Sequence, residues 1–198
     1  MAVVGRAYAA LQHAAKPSVM PKKENGMRIN FLLIVLALLN SSIVVAQECK
    51  ISSSDNPNVT YSINPNVTYK WNPDVTYAIN PNVTYSINPN VTYKYNPNVT
   101  YSINPNVTTK LNPYIGDWTG YFVCTPDGDL IGASVIANED VMVIYTGKYW
   151  MGHFVTNKKG GFNYFNRENE WKGFLVPTSS GGFAFFNKEK EWVLSLTK

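Results

Sequence analysis

The stretch GGFNYFNRENEW at residues 160–171 returns 21 residues later as GGFAFFNKEKEW at residues 181–192. In both copies a glycine pair precedes alternating aromatic residues, and a charged segment leads to a tryptophan. Aromatic residues at alternate positions favour a β-strand, and Gly-rich or charged polar segments between such runs are typical of turns. The repeat therefore predicts successive β-hairpins of one design.

A Trp-x-Gly motif follows the charged segments and extends this pattern in both directions. It occurs at Trp118, Trp150 and Trp171, and Trp192 closes the series without a glycine. Two short strands per unit would place about eight strands in residues 114–198. We predict a small antiparallel β-meander there, either a closed barrel or a curled single sheet.

Upstream lies a second repeat, the octapeptide NPNVTYSI, which begins at residues 56–63. Seven copies end at residue 111, and a stub Asn-Pro completes residues 56–113. Asn-Pro-Asn is turn material, whereas Val-Thr-Tyr-Ser-Ile has strand propensity and alternation. We therefore expect one turn and one strand per unit, with Val, Tyr and Ile on one face, and an all-β fold for the whole mature chain.

The arrangement of these units stays open at this point. One unit cannot fold alone, because burying three apolar side chains stabilises by at most about 9 kcal/mol and ordering eight residues costs roughly 8–16 kcal/mol. Trp71 and Tyr95 stand 24 residues apart at corresponding positions. Three units per coil would form a triangular β-solenoid. A meander and a partly extended segment are the alternatives.

The N-terminal region predicts export. Residues 1–26 are a leader or an over-extended start, and residues 27–46 have the order of a signal peptide: Arg28, an apolar run at residues 31–39, and Ala46 at the cleavage point. That run is too short to span a bilayer, which needs about 20 apolar residues. We expect a secreted, periplasmic or cell-surface protein that meets the membrane only during export, with residues 47–55 as a linker.

The mature chain is neutral and carries two cysteines. From residue 47 onward it has twelve basic and twelve acidic residues, which argues against a nucleic-acid partner. Cys49 and Cys124 are candidates for a disulfide in an oxidising compartment, the alternative being two unpaired thiols.

No catalytic set is apparent, and we predict a non-enzymatic protein without metal or cofactor. His153 lies in a predicted strand, where a packed or outward imidazole is the usual case. Acidic residues fall in predicted turns beside basic ones, which favours solvated charge over a pair of glycosidase carboxylates or a calcium site. These residues are Asp127, Asp129, Glu168, Glu170, Glu189 and Glu191.

The tryptophans are the candidate ligand-binding residues. Their recurrence indicates either a layer of the core or an exposed platform for sugar rings. Aromatic residues on both strand faces further predict some exposed apolar surface, because a domain of this size cannot bury them all. The four candidates are Trp118, Trp150, Trp171 and Trp192.

Six octapeptides contain Asn-Val-Thr, the acceptor sequence for N-glycosylation in a eukaryotic secretory pathway. The alternative is a by-product of a repeat that places Asn in a turn and Thr in a strand. Asp74 interrupts the series. The acceptors are Asn58, Asn66, Asn82, Asn90, Asn98 and Asn106.

The Ser-Ile-Asn-Pro cadence at residues 62–65 and 86–89 resembles the tandem Asn-Pro octapeptides of uncharacterised exported bacterial proteins, in which the repeats run into a Trp/Gly-rich β segment. The resemblance covers about residues 56–198. It implies export and no particular activity, and it lowers the expectation of glycosylation, because most bacteria lack that machinery.

The sequence thus favours an exported repeat protein with a binding or scaffold role at the cell surface or in the extracellular matrix. Its C-terminal domain would bind a glycan or another protein. Self-assembly into β-rich fibres is the alternative, since Val-Thr-Tyr-Ser-Ile has the strand propensity and low charge of cross-β segments. An ice-binding solenoid is a minor third hypothesis.

Overall fold

The computed structural model describes residues 49–115 and 118–198, which fall within one compact unit. Eight antiparallel strands follow one another in chain order, and β1 also pairs with β8, which closes a barrel. This confirms the all-β class and selects the closed barrel over the curled sheet. The strands are β1 (Gly120–Cys124), β2 (Leu130–Ile136), β3 (Val141–Thr146), β4 (Tyr149–Thr156), β5 (Phe162–Asn166), β6 (Trp171–Pro177), β7 (Phe183–Asn187) and β8 (Trp192–Thr197).

The predicted leader and signal peptide, residues 1–26 and 27–46, lie outside the described residues. Within the described ranges, no helix is long and apolar enough to cross a membrane.

Inward-pointing side chains fill the barrel. Phe154 is fully buried and meets the ring of Phe185 edge to face, with centroids 6.1 Å apart. Alternation along each strand sends every second residue into this interior. The buried set is Val123, Met142, Ile144, Phe154, Leu175, Phe185 and Leu196.

The Trp-x-Gly motif builds a β-bulge that recurs in successive hairpins. Between β3 and β4, Tyr145 pairs with Trp150 but Ile144 pairs with Gly152, so β4 carries one extra residue. The indole N–H of Trp150 donates to the Gly152 carbonyl at 2.7 Å. The β5–β6 hairpin repeats both the bulge and the hydrogen bond at Trp171. The period of 21 residues is therefore the period of one hairpin.

The glycine of the motif leaves space for an aromatic ring inside the barrel. A Cβ on Gly152 would lie 2.9 Å from the Tyr164 ring, and one on Gly173 would lie 2.8 Å from the Phe185 ring. Both distances are shorter than carbon atoms tolerate. The motif thus places a tryptophan on the outer side of the barrel and leaves space for an aromatic ring on the inner side.

The octapeptides do not form the predicted strands. In the first unit, the N–H groups of Val59 and Thr60 donate to the Asn56 carbonyl, and the N–H of Ile63 donates to the Thr60 carbonyl. Each unit is therefore a turn followed by one turn of 3₁₀-helix. These 3₁₀ turns are Tyr61–Ile63, Tyr69–Trp71, Tyr77–Ile79, Tyr85–Ile87, Tyr93–Tyr95, Tyr101–Ile103 and Thr109–Leu111, and Ser53–Asp55 precedes them.

Local hydrogen bonds explain why strand propensity is overridden. Proline fixes its own φ within the first turn, and the Asn56 Oδ1 accepts the N–H of Asn58 at 2.9 Å. N–H and carbonyl groups that a strand would pair with a neighbouring strand are therefore already hydrogen-bonded within the unit. β-propensity reflects packing context more than an intrinsic backbone preference, so the alternating pattern alone is a weak guide.

Successive units bond to one another rather than to every third unit. Thr68 Oγ1 donates to the Tyr61 carbonyl at 2.7 Å, and Asn64 Nδ2 donates to the Pro57 carbonyl at 3.1 Å. The threonine bond recurs in every later unit, and the asparagine bond recurs at Asn80, Asn88 and Asn104. In the described repeats, no hydrogen bond joins residues 24 apart, so the predicted triangular solenoid is wrong, as is the meander.

The repeats, here called the array, cover the outer face of the barrel. The eighth side chain of every unit is only 1–7 % exposed. Ile63 and Trp71 pack on β6 and β7, Tyr95 and Ile103 on β3 to β5, and Leu111 on β2 to β4. The chain therefore covers with its own repeats the outward aromatic residues that were predicted to leave apolar surface exposed.

Polar contacts hold the array to the turns of the barrel. Asn66 Nδ2 donates to the Lys190 carbonyl, and Asn98 Nδ2 donates to the Arg167 carbonyl, both at 2.9 Å. A disulfide joins Cys49, ahead of the array, to Cys124 at the end of β1, with the Cα atoms 6.1 Å apart. The candidate disulfide is thus present, and it fixes the start of the array to the barrel.

Candidate binding face of the octapeptide array

The tryptophans proposed as a ligand platform lie largely beneath the array. Trp150 is 8 % exposed and packs with Leu111, whereas Trp118, Trp171 and Trp192 are half-buried. The indole N–H groups of the last two donate to backbone carbonyls at 2.7 and 2.9 Å. Three of the four indoles therefore hydrogen-bond to the backbone of the barrel. The structure does not bring the four together as an exposed platform.

His153 is fully buried on the outer side of β4 and stacks on Phe165, with ring centroids 5.7 Å apart. Neither ring nitrogen has a hydrogen-bond partner, and burial lowers the pKa of His153 to about 3. The imidazole is therefore neutral and inaccessible at ordinary pH, which is the geometry of a packed side chain.

The repeated acidic residues close turns. Lys172 Nζ lies 2.8 Å from Glu170 Oε2, and Asn166 Nδ2 donates to the same oxygen at 2.9 Å; both contacts lower the pKa of Glu170. Glu191 and Asn187 repeat the arrangement at the β7–β8 turn at 2.8 Å. Asp127 and Asp129 lie in the β1–β2 turn. Among the described residues, no three His, Cys, Asp or Glu side chains cluster closely enough to hold a metal ion.

The array exposes a regular row of valines and tyrosines, here called the Val–Tyr face. These tyrosines are 60–70 % exposed and these valines 52–60 % exposed, in contrast to the buried eighth residues. The sequence pattern had placed Val, Tyr and Ile on one face, and the structure separates Ile from the other two. The face comprises Val59, Tyr61, Val67, Tyr69, Val75, Tyr77, Val83, Tyr85, Val91, Tyr93, Val99, Tyr101 and Val107.

A sequence signal for this separation existed. The eighth position is Ile, Trp, Tyr or Leu, as expected of a side chain that must fit a different part of the barrel in each unit. The sixth position is Tyr in six of seven units.

Where the eighth residue is aromatic, the seventh is lysine. Lys70 Nζ lies 4.4 Å from the ring centre of Trp71, and Lys94 Nζ lies 4.6 Å from that of Tyr95. The 24-residue similarity thus marks two cation–π pairs rather than a coil.

The third residue of each unit is exposed, and in several units it also contacts the barrel. Asn66, Asn90 and Asn98 donate their side-chain amides to barrel turns. Asn58, Asn82 and Asn106 are exposed. Asp74, which replaces this asparagine in the third unit, forms an ion pair with Lys190. In several units the asparagine therefore has a structural role that is independent of glycosylation.

The Val–Tyr face is nearly uncharged and is held firmly. Between the third and sixth positions of all units, Asp74 is the one charged residue. The hydrogen bonds within and between units fix the backbone beneath each tyrosine.

A comparison of the chain with protein-family models, curated proteins and solved structures finds no match.

Proposed function

We propose that the protein is an exported, non-enzymatic binding protein of the cell surface or extracellular matrix, and that the Val–Tyr face carries the binding. The observation behind this proposal is the row of six exposed tyrosines on a hydrogen-bonded scaffold. Tyrosine offers a large contact area at low conformational cost, together with a polar tip, and it is enriched in binding surfaces.

The disulfide and the predicted signal peptide support an extracellular site of action. Disulfides persist in oxidising compartments and are rare in the cytosol. The array is also not free to act as a separate spacer, because its buried side chains pack on the barrel. A binding role that uses the opposite, exposed side of the array is compatible with this packing.

The fibre hypothesis gains less support from the fold. The Val-Thr-Tyr-Ser-Ile segments are not strands, and the closed barrel leaves no free strand edge among the described residues.

Retention on extracellular material tests the proposed function. The mature chain from residue 47 is incubated with wall and matrix preparations of the producing organism. We expect retention that is lost in a variant carrying Tyr77→Ala, Tyr85→Ala and Tyr93→Ala. Tyr149→Ala is the matched control, because Tyr149 is 77 % exposed but lies on the barrel. Equal retention of the triple variant would contradict a role for the Val–Tyr face.

A further inference from the structure

The composition of the Val–Tyr face narrows the chemistry of its ligand. Anionic ligands are recognised through clustered lysine or arginine side chains, which this face lacks. Two of the three lysines at the seventh position contact side chains of the array and the barrel. Lys70 lies over Trp71, and Lys94 lies over Tyr95 and within 3.5 Å of the Asp140 carboxylate. Charge complementarity therefore favours an uncharged ligand.

The side chains that are present suit the faces of sugar rings. A sugar ring carries apolar C–H groups on its face and hydroxyls on its edge, and an aromatic ring with a polar tip can contact both. The exposed asparagines of the same units, such as Asn58 and Asn82, add hydrogen-bond donors and acceptors.

The repetition of the face suits a repeating ligand. Each unit offers the same Val, Thr and Tyr side chains, and hydrogen bonds to the preceding unit fix its position. Identical weak contacts on one rigid body gain strength through multivalency when the ligand repeats as well. A single small molecule would engage only one of these units.

We propose, on the basis of the proposed function, that the ligand of the Val–Tyr face is a neutral polysaccharide chain that lies along successive tyrosines. The C–H faces of its sugar residues contact the phenol rings, and its hydroxyls hydrogen-bond to the exposed asparagines.

The test uses the mature protein and a fractionated extracellular matrix. The matrix is separated into protein, anionic polysaccharide and neutral polysaccharide, and binding to each is measured by affinity electrophoresis. Binding is expected in the neutral fraction, and it should persist after protease digestion and fall when the polymer is cut into short oligosaccharides. Each Tyr→Ala substitution on the face should weaken it about two- to tenfold, since one aromatic contact contributes about 0.5–1.5 kcal/mol.

Two controls separate ring contact from structural damage. Tyr85→Phe keeps the ring and should keep most of the binding, and Tyr149→Ala should leave it unchanged. A Phe variant that loses binding as the Ala variant does would overturn the ring-contact basis. Tyrosine-dependent binding confined to the protein or anionic fraction would overturn the polysaccharide ligand while leaving the proposed function standing. Failure to bind any fraction would remove both.

Discussion

The array and the barrel are both repeats, but they satisfy their backbones in different ways. In the barrel, backbone groups pair with neighbouring strands, as Phe154 pairs with Tyr164. In the array, turns within the unit and side-chain hydrogen bonds to the adjacent unit take up the same groups. The array therefore forms its backbone structure locally, but it obtains a hydrophobic core only from the barrel.

The dependence is mutual. Outward residues of the barrel such as Phe174, Phe186 and Phe165 are at most 2 % exposed because array side chains cover them. A barrel with apolar side chains on both faces resembles a sheet that is packed on two sides. The array thus covers the outer aromatic residues of the barrel, and the barrel provides the hydrophobic core of the array. Separating the two regions is therefore the most severe test of this comparison.

Removing the array should have the largest effect. A chain that retains only residues 114–198, with Cys124→Ser because its partner is absent, exposes the outer aromatic residues to water. Exposed apolar patches of this kind drive association. We expect precipitation or soluble aggregates in size-exclusion chromatography and loss of the near-ultraviolet circular dichroism signal.

The mature chain from residue 47 with Cys49→Ser and Cys124→Ser is the control, and it should remain folded and monomeric. A monomeric barrel fragment with a sharp unfolding transition would contradict the mutual dependence of the two regions.

A single unit of the array allows a finer comparison of its two sides. Ile103→Ala empties a site beside Val141, Val155 and Phe165 and should lower the free energy of unfolding by about 2–4 kcal/mol. Val99→Ala in the same octapeptide removes an exposed side chain and should change it by less than about 0.5 kcal/mol. Urea unfolding measures both. Equal effects would mean that the array is not seated on the barrel through its eighth residues.

The contrast between the regions also explains what the sequence could predict. The barrel was predictable, because the 21-residue repeat, the Trp-x-Gly spacing and the aromatic alternation all point to hairpins. Closure of the barrel by β1 and β8 was not, since no local residue specifies it. The alternation in Val-Thr-Tyr-Ser-Ile was misleading, because the Asn and Pro residues beside it decide the backbone.

The candidate site was likewise predictable from the sequence only in part. The tryptophans stand out in the sequence because they recur, yet recurrence marks structure as readily as function. Trp171 lies at the seam between array and barrel, where its indole is hydrogen-bonded. The exposure of Tyr85 has only an indirect signal in the sequence, the constancy of the sixth position beside the varied eighth, because the octapeptide alone does not say which of its apolar side chains turns toward the barrel. That direction is set by the barrel and not by the octapeptide.

Acidification should lower the stability of the fold through His153. The ordinary histidine pKa is 6.5, and burial lowers that of folded His153 to about 3. Between these values the unfolded chain binds a proton that the folded chain does not, so the stabilisation is complete above about pH 6.5 and is lost as pH falls. At pH 5 the loss amounts to about 2 kcal/mol.

His153→Leu isolates this contribution. Burial raises the pKa of Asp140, but Lys158 and Lys94 outweigh that effect and lower it from 3.8, so this carboxylate adds pH dependence mainly below that value and leaves the range above it to the imidazole. Denaturation midpoints from pH 7 to pH 4 should therefore fall less steeply in the leucine variant than in the wild type. Parallel profiles would indicate that the imidazole becomes accessible without unfolding.

The smallest expected effect concerns the third unit, in which Asp74 pairs with Lys190 at the β7–β8 turn. Asp74→Asn restores the residue found in the other units. The ion pair is partly exposed, and such pairs contribute about 0–1 kcal/mol. The new amide could also donate to a turn carbonyl, as Asn66 does to that of Lys190. We therefore expect the free energy of unfolding to change by less than about 1 kcal/mol and to lose part of its salt dependence. Urea unfolding at low and high ionic strength measures both quantities. A larger loss of stability would mean that the charge of this one unit holds the array to this end of the barrel, and that the repeated amide contacts do not.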